Sequence, residues 1–222
     1  MPSADSPAAV VFDCDGLLLD TESAWTRAET VLYAARGVEF TLEHKRELLG
    51  TSGPRARGLI EQHLNAPGQG DALVDELHDL VDIEVRREAP PQPGAEALVA
   101  ALRAQGTPLG LASNSPRVHV DLALEVSGLA GCFDAVLSAA EAGAPKPAPD
   151  VYLAMCALLG AQPAESVALE DSQTGVASAR AAGMVVVGVP SLPGLELAEA
   201  HVVAASLEAP DVWRAVGLRV AA

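Results

Sequence analysis

Residues Val10 to Glu22 read VVFDCDGLLLDTE. A short β-branched and aromatic run, Val10 to Phe12, ends on two aspartates one residue apart, Asp13 and Asp15, with Gly16 behind them. The run has the length and texture of a strand buried on both faces, and the polar, glycine-containing turn marks its carboxyl end. Two carboxylates placed side by side repel each other. Their position therefore calls for a chemical reason, because packing supplies none.

The same texture returns four times along the chain: PLGLASNS at Pro108 to Ser115, FDAVLS at Phe133 to Ser138, SVALEDS at Ser166 to Ser172, and MVVVGVP at Met184 to Pro190. Between these runs lie Ala- and Leu-rich stretches with helical spacing. In GAEALVAALRAQG, for example, Leu98, Ala101 and Leu102 share one face before Gly106 ends it. Alternating strand and helix predicts an α/β fold, a doubly wound, Rossmann-like parallel sheet covered on both faces. From Leu19 to Glu88 no convincing strand is visible. Thr21 to Arg36 carries Trp25, Ala28 and Leu32 on one face and ends at Gly37, and Asp71 to Arg87 carries Leu73, Leu77, Leu80 and Val81 before APPQP stops it. The expected division is a core of residues 1–18 and 89–222 with an all-helical cap, residues 19–88, inserted just after the aspartates. An insert at that point lies over the carboxyl ends of the strands, where open α/β sheets bind ligands.

The composition narrows the function. Half of the 222 residues are apolar and 20% are charged, as in an ordinary soluble globular protein. Thirty acidic residues against fourteen basic ones give a net charge of −16. That field repels phosphate backbones and anionic lipid, so neither nucleic acid nor a membrane surface is an expected partner. A small anionic substrate is accepted only where a local cation and aimed donors overcome it. Cys14, Cys132 and Cys156 are odd in number, widely spaced and without a CxxC, and read as reduced thiols of a cytoplasmic protein. The first residues lack a signal-peptide pattern, and the longest apolar run, Val151 to Ala161, is far short of the roughly 18 residues of a membrane span. The five histidines have no metal-type spacing and are expected at the surface. The expected assembly is a monomer or weak dimer.

In a doubly wound sheet the ends of the strands converge at one rim. That brings together Asp13, Asp15 and Gly16; Ser113 and Asn114; Lys146 from PKPAPDVY; and Glu170, Asp171 and Ser172. Unit charges near 4 Å repel by up to about 4 kcal/mol at an effective dielectric of about 20. A hard dication removes that cost, and Asp13, Asp171, a backbone carbonyl and waters make the oxygen set that Mg²⁺ prefers beside a phosphate. Asp13 is then a nucleophile for phosphorus, forming an aspartyl-phosphate. Asp15 is placed to protonate the leaving oxygen and later to take a proton from water. Ser113, Asn114 and Lys146 would hold the phosphoryl oxygens as charge shifts.

The segments DCDGLLLDTE, ASNS, KPAPD and LEDSQTG resemble, in order and separation, the four successive motifs of the haloacid dehalogenase superfamily. Within it the chain is similar to the capped sugar-phosphate phosphatases and β-phosphoglucomutases, from about Val10 to Val189. The resemblance implies a Rossmann-like core with a mobile cap, Mg²⁺ dependence and phosphoryl transfer through Asp13. Asp15 would be the acid/base and offer its main-chain carbonyl to the metal; Asp171 would be a metal ligand; Glu170 would ligate the ion or hold a metal-bound water. Mutases of the group carry a histidine early in the first cap helix and a basic residue before the cap-loop glycine, followed closely by an arginine. The matching places here hold Trp25 and Leu49, and GTSGPRAR sets Arg55 later. Hydrolysis of a small phosphomonoester, a sugar or polyol phosphate, is therefore favoured over the mutase alternative. Trp25, Lys45, Arg55 and Arg57 are the candidates to touch the substrate. A non-catalytic phosphate-ligand binding protein would show a broken motif, and none is broken.

Overall fold

A computed structural model describes residues 6–49, 51, 53–192 and 194–219. The readings that involve the first five residues, and Gly50 and Ser52 of the cap loop, fall outside that set. The quoted run forms β1 (Val10–Phe12) at the middle of the sheet. The four similar runs form β2 (Leu109–Ser113), β3 (Ala135–Ser138), β4 (Val167–Glu170) and β5 (Val185–Gly188). A sixth, two-residue strand, β6 (Val202–Val203), is too short to leave a pattern in the sequence. The order is β3-β2-β1-β4-β5-β6, with every neighbouring pair parallel.

Two cores flank the sheet, and the strand period of two sorts the residues between them. Val10, Phe12, Leu109, Leu111, Val167 and Leu169 face one core. Val11, Ala112, Ala168 and Val186 face the other. Gly110 has a specific packing role, since a Cβ there would come within 2.4 Å of Met155 Sδ.

Between β1 and the next core helix, α1 (Thr21–Ala34), α2 (Leu42–Leu48), α3 (Gly53–Leu64) and α4 (Gly70–Arg87) form the helical insert. Asp20 caps α1 by accepting from the Ser23 N–H at 3.2 Å, and Thr41 with His44 makes a capping box on α2. The chain leaves and re-enters the sheet along one short antiparallel pairing. There the Asp20 N–H donates to the Pro90 carbonyl at 2.8 Å and the Gln92 N–H to that of Leu18 at 2.9 Å. The core then continues through α5 (Ala95–Gln105), α6 (Arg117–Val126), α7 (Ala139–Ala142), α8 (Asp150–Leu158), α9 (Gln173–Ala181) and α10 (Pro210–Ala215).

One expectation fails here. The histidines are not all surface residues: His119 is buried on α6, where its ring lies 4.9 Å from that of His78 on α4 and its Nδ1 meets the Asp82 carboxylate. Helix α6 packs against the insert, and that contact turns a residue of polar type inward. The three cysteines are free, as expected, and Cys14 is buried in the core. No described helix is long and apolar enough to cross a membrane.

Candidate active site

The register of the sheet assembles the site. Phe12 stands level with Leu111 of β2 and Leu169 of β4, so the next residue of each strand emerges in one row. Asp13 follows β1, Glu170 ends β4, and Asp171 lies one step beyond it. Because β2 and β4 flank β1 on opposite sides, this row is the switch point of the sheet, where a crevice opens.

Lys146 reaches into this row from the loop before α8. Its Nζ donates to Asp13 Oδ1 at 2.6 Å, to Glu170 Oε1 at 2.6 Å and to the Ala112 carbonyl at 2.9 Å. All of these side chains are buried. Burial drives the Asp13 carboxyl well above the usual carboxylate range, against the pull of Lys146, and Glu170 and Asp15 add to the rise. Asp171 is likewise raised by burial and then by the charges of Asp13 and Glu170. Burial works against the Lys146 ammonium, yet the two carboxylates outweigh it and hold the amine well above its ordinary range. The lysine is thus held in its charged form while sealed from water.

Asp15 is held by three hydroxyls. Thr21 donates to one carboxylate oxygen at 2.7 Å, and Ser113 and Ser115 donate to the other at 2.8 Å each. The side-chain amide of Asn114 brackets the backbone of Lys146, accepting from its N–H at 2.9 Å and donating to its carbonyl at 3.3 Å. Ser113 and Asn114 line the cavity beside Asp13 and Asp15, with polar atoms engaged on Asp15 and on the lysine loop. Three contributors were not singled out from the sequence: Thr21, Ser115 and Tyr152. Tyr152 donates its phenol to Glu170, and Lys146 lies 4.9 Å from the centre of its ring. Thr21 and Ser115 sit inside motifs already marked, and a hydroxyl within one residue of such a motif was the available signal.

Carboxylate oxygens of Asp13, Glu170 and Asp171 lie within 4.8 Å of one another. Asp171 Oδ2 is buried and has no hydrogen-bond partner. An orphaned carboxylate oxygen beside two further carboxylates fits a hard cation with oxygen ligands. The backbone makes room for it: Gly16 has φ +87°, and a Cβ there would lie 2.4 Å from Asp171 Oδ2. Gly175 does the same for Glu170, since a Cβ would meet Glu170 Oε2 at 1.8 Å. Gly175→Ala is expected to push the Glu170 carboxylate off Lys146 and cost about 1–3 kcal/mol of stability, as overpacking does. Urea unfolding checks this, and an unchanged midpoint would contradict the contact.

Above this floor the insert closes a cavity of about 510 Å³. Trp25, Lys45 and Arg57 line it; Arg55 is exposed and is not among the described lining residues. Neither lining cation stands alone. Lys45 Nζ is 2.6 Å from Glu22 and 3.1 Å from Glu29, and Arg57 pairs with Asp71. Burial lifts the Glu29 carboxyl from its ordinary 4.5 to about 7, although Lys45 opposes the rise. The unfolded chain then ionises first, so this contribution to stability is complete below about pH 4.5 and is lost as the pH rises through about 7. The difference corresponds to about 3 kcal/mol. Glu29→Gln is expected to remove that part of the fall in unfolding free energy between pH 5 and 8, read by urea titration at several pH values. An identical slope in parent and variant would refute it.

A parallel sheet with paired aspartates, a buried lysine and a cation-ready carboxylate row at its switch point defines a class of α/β enzymes that handle an anionic group over the strand ends. The chain belongs, specifically, to the haloacid dehalogenase-like hydrolases, whose family model matches residues 7–183, and it is a hydrolase of that family. It is 36% identical to protein CbbY of Rhodobacter capsulatus over 193 residues, covering 82% of this chain and 85% of that protein. It is also 36% identical to hexitol phosphatase B of Escherichia coli over 188 residues, 82% of this chain and 83% of that one. Among solved structures, CbbY of Rhodobacter sphaeroides in complex with phosphate superposes with a TM-score of 0.80 at 26% identity, covering 92% of this chain and 96% of that one.

Proposed function

We propose that this hydrolase is a Mg²⁺-dependent phosphatase that cleaves a small sugar or polyol phosphate through an aspartyl-phosphate on Asp13. The observation that carries the reading is the row formed by Asp13, Lys146 and the orphaned oxygen of Asp171: a nucleophile, a phosphoryl-oxygen cation and a metal ligand side by side. The names of the relatives, hexitol phosphatase B among them, agree with it. Residues 19–88 act in this reading as a cap over the core of residues 1–18 and 89–222.

Asp13, Asp171, Glu170 and the main-chain carbonyl of Asp15 would hold Mg²⁺, which when bound offsets the carboxylate charges and those of the phosphoryl oxygens. The Asp13 carboxylate attacks phosphorus and the ester P–O bond breaks. Asp15, acting as the general acid, gives a proton to the leaving alkoxide. It then takes a proton from water, which attacks the phosphorus of the aspartyl-phosphate, releasing phosphate and restoring Asp13. Hydroxyls both donate and accept, so Thr21 and Ser115 suit either protonation state of Asp15. Lys146, Ser113 and Asn114 steady the phosphoryl oxygens. A mutase needs a cap that grips a second phosphate, and both cap cations in this cavity are already paired with carboxylates. The substrates are small phosphorylated metabolites in the cytoplasm, met by a monomer or weak dimer.

The test is phosphate release from sugar phosphates, polyol phosphates and nucleoside monophosphates in the presence of Mg²⁺. Sugar and polyol phosphates should lead, excess chelator should take release to background, and added Mg²⁺ should restore it. Turnover that survives chelation would overturn the metal assignment, and no release from any ester would overturn the reading as a whole.

A further inference from the structure

The insert brings six charged residues to the cavity wall: Glu22, Glu29, Lys45, Arg57, Asp71 and Asp75. Four are carboxylic acids and two are cations. Lys45 is only 5% exposed and is clamped between Glu22 and Glu29, and Arg57 is engaged by Asp71. Gripping a phosphate takes charge-assisted donors that are free to turn to it. Here each donor would have to leave a carboxylate, and Lys45 would strand two of them, Glu29 being itself buried. Removing one partner from a buried ionic group is strongly unfavourable. A second phosphate on this side would also face the four acids. Hydroxyl groups meet the opposite situation, because a carboxylate offers about four acceptor positions and one lysine leaves several open. The ring of Trp25 lies in the same wall and offers an apolar surface to the C–H face of a polyol.

We infer that the Lys45–Glu22–Glu29 cluster makes the insert selective for monophosphate esters with a hydroxyl-bearing tail, and that it excludes a second phosphate. This rests on the phosphatase reading of the floor, and it adds a specificity-determining role for three residues of the insert.

Calorimetric titration of the Asp13→Asn protein with Mg²⁺ reads the selectivity without turnover. The ligands are a hexitol 6-phosphate, the matching 1,6-bisphosphate and ethyl phosphate. The hexitol monophosphate should bind at least about tenfold more tightly than the bisphosphate and than ethyl phosphate. In Glu22→Gln/Glu29→Gln, which frees Lys45, the preference should move toward the bisphosphate by about tenfold or more. The single Glu29→Gln variant gives the same direction should the double variant not fold. Equal or tighter binding of the bisphosphate by the parent, a ratio unmoved by the variants, or no binding at all would each overturn the inference. The two readings fail separately. Phosphate release without this discrimination sinks the selectivity alone, whereas the discrimination without release from any ester sinks the phosphatase.

Discussion

Asp13→Asn is expected to lower phosphate release by about four orders of magnitude or more, the scale seen when a covalent nucleophile is removed, while the protein stays folded. The carboxylate is 6% exposed and its Oδ1 is 2.6 Å from Lys146 Nζ. An amide of the same shape can still accept from that ammonium, so packing is preserved. What is lost is the negative charge that, in the proposed mechanism, attacks phosphorus. Because burial already raises the Asp13 carboxyl well above its usual range, removing the charge relieves a desolvation cost, and the melting temperature should hold or rise. Initial rates with the best ester from the screen, beside a thermal melt, decide it. A rate within about tenfold of the parent would mean that a different group attacks.

Lys146→Met should damage both rate and fold. The ammonium is the shared counter-charge of Asp13 and Glu170, and it also donates to the Ala112 carbonyl. Methionine keeps much of the length and none of the charge, so two buried carboxylates face each other uncompensated. Breaking a buried ionic group from one side costs about 3–5 kcal/mol. Loss of a donor aimed at the developing phosphoryl charge costs about 10² to 10³ in kcat. Arginine should not restore either, because its planar fork does not fit a point-charge position ringed by Asp13, Glu170 and Tyr152. Urea unfolding and single-substrate kinetics read the two effects separately. A stability change below about 1 kcal/mol would show that Lys146 is not the main partner of these acids.

Much of the core was legible because each major strand is an apolar run that stops at a polar residue, and burial on both faces leaves a continuous hydrophobic signature. Most residues at the floor were legible for the same reason: Asp13, Glu170 and Asp171 sit where those runs stop, and parallel register brings the ends together, whereas Lys146 comes from the loop before α8 and was read from the PKPAPD segment. What the sequence hid depends on contacts between distant segments. β6 pairs only Val202 and Val203, too few for a period. Tyr152 looks like one more apolar position of α8 until the fold carries Glu170 onto its phenol. Lys45 is named from the sequence only as a candidate to touch the substrate, and the structure closes it between Glu22 and Glu29. Those glutamates stand seven apart on α1, two turns along one face, so a partner for a cation was written there. His119 was misread because the burial of α6 comes from the insert, a neighbour that periodicity within α6 does not disclose.

The short pairing of Leu18 and Asp20 with Pro90 and Gln92 means that the helical excursion begins and ends at one doorway. Closing a long chain excursion costs entropy that grows only slowly with its length, and here both gateposts are already tied to each other beside β1. A lid of different size or helix number could be grafted onto that doorway while the carboxylate of Asp13 stays where β1 sets it. On the proposed function, the fold thus separates the machinery that breaks the ester from the part that chooses which ester arrives, and the two are free to diverge at different rates.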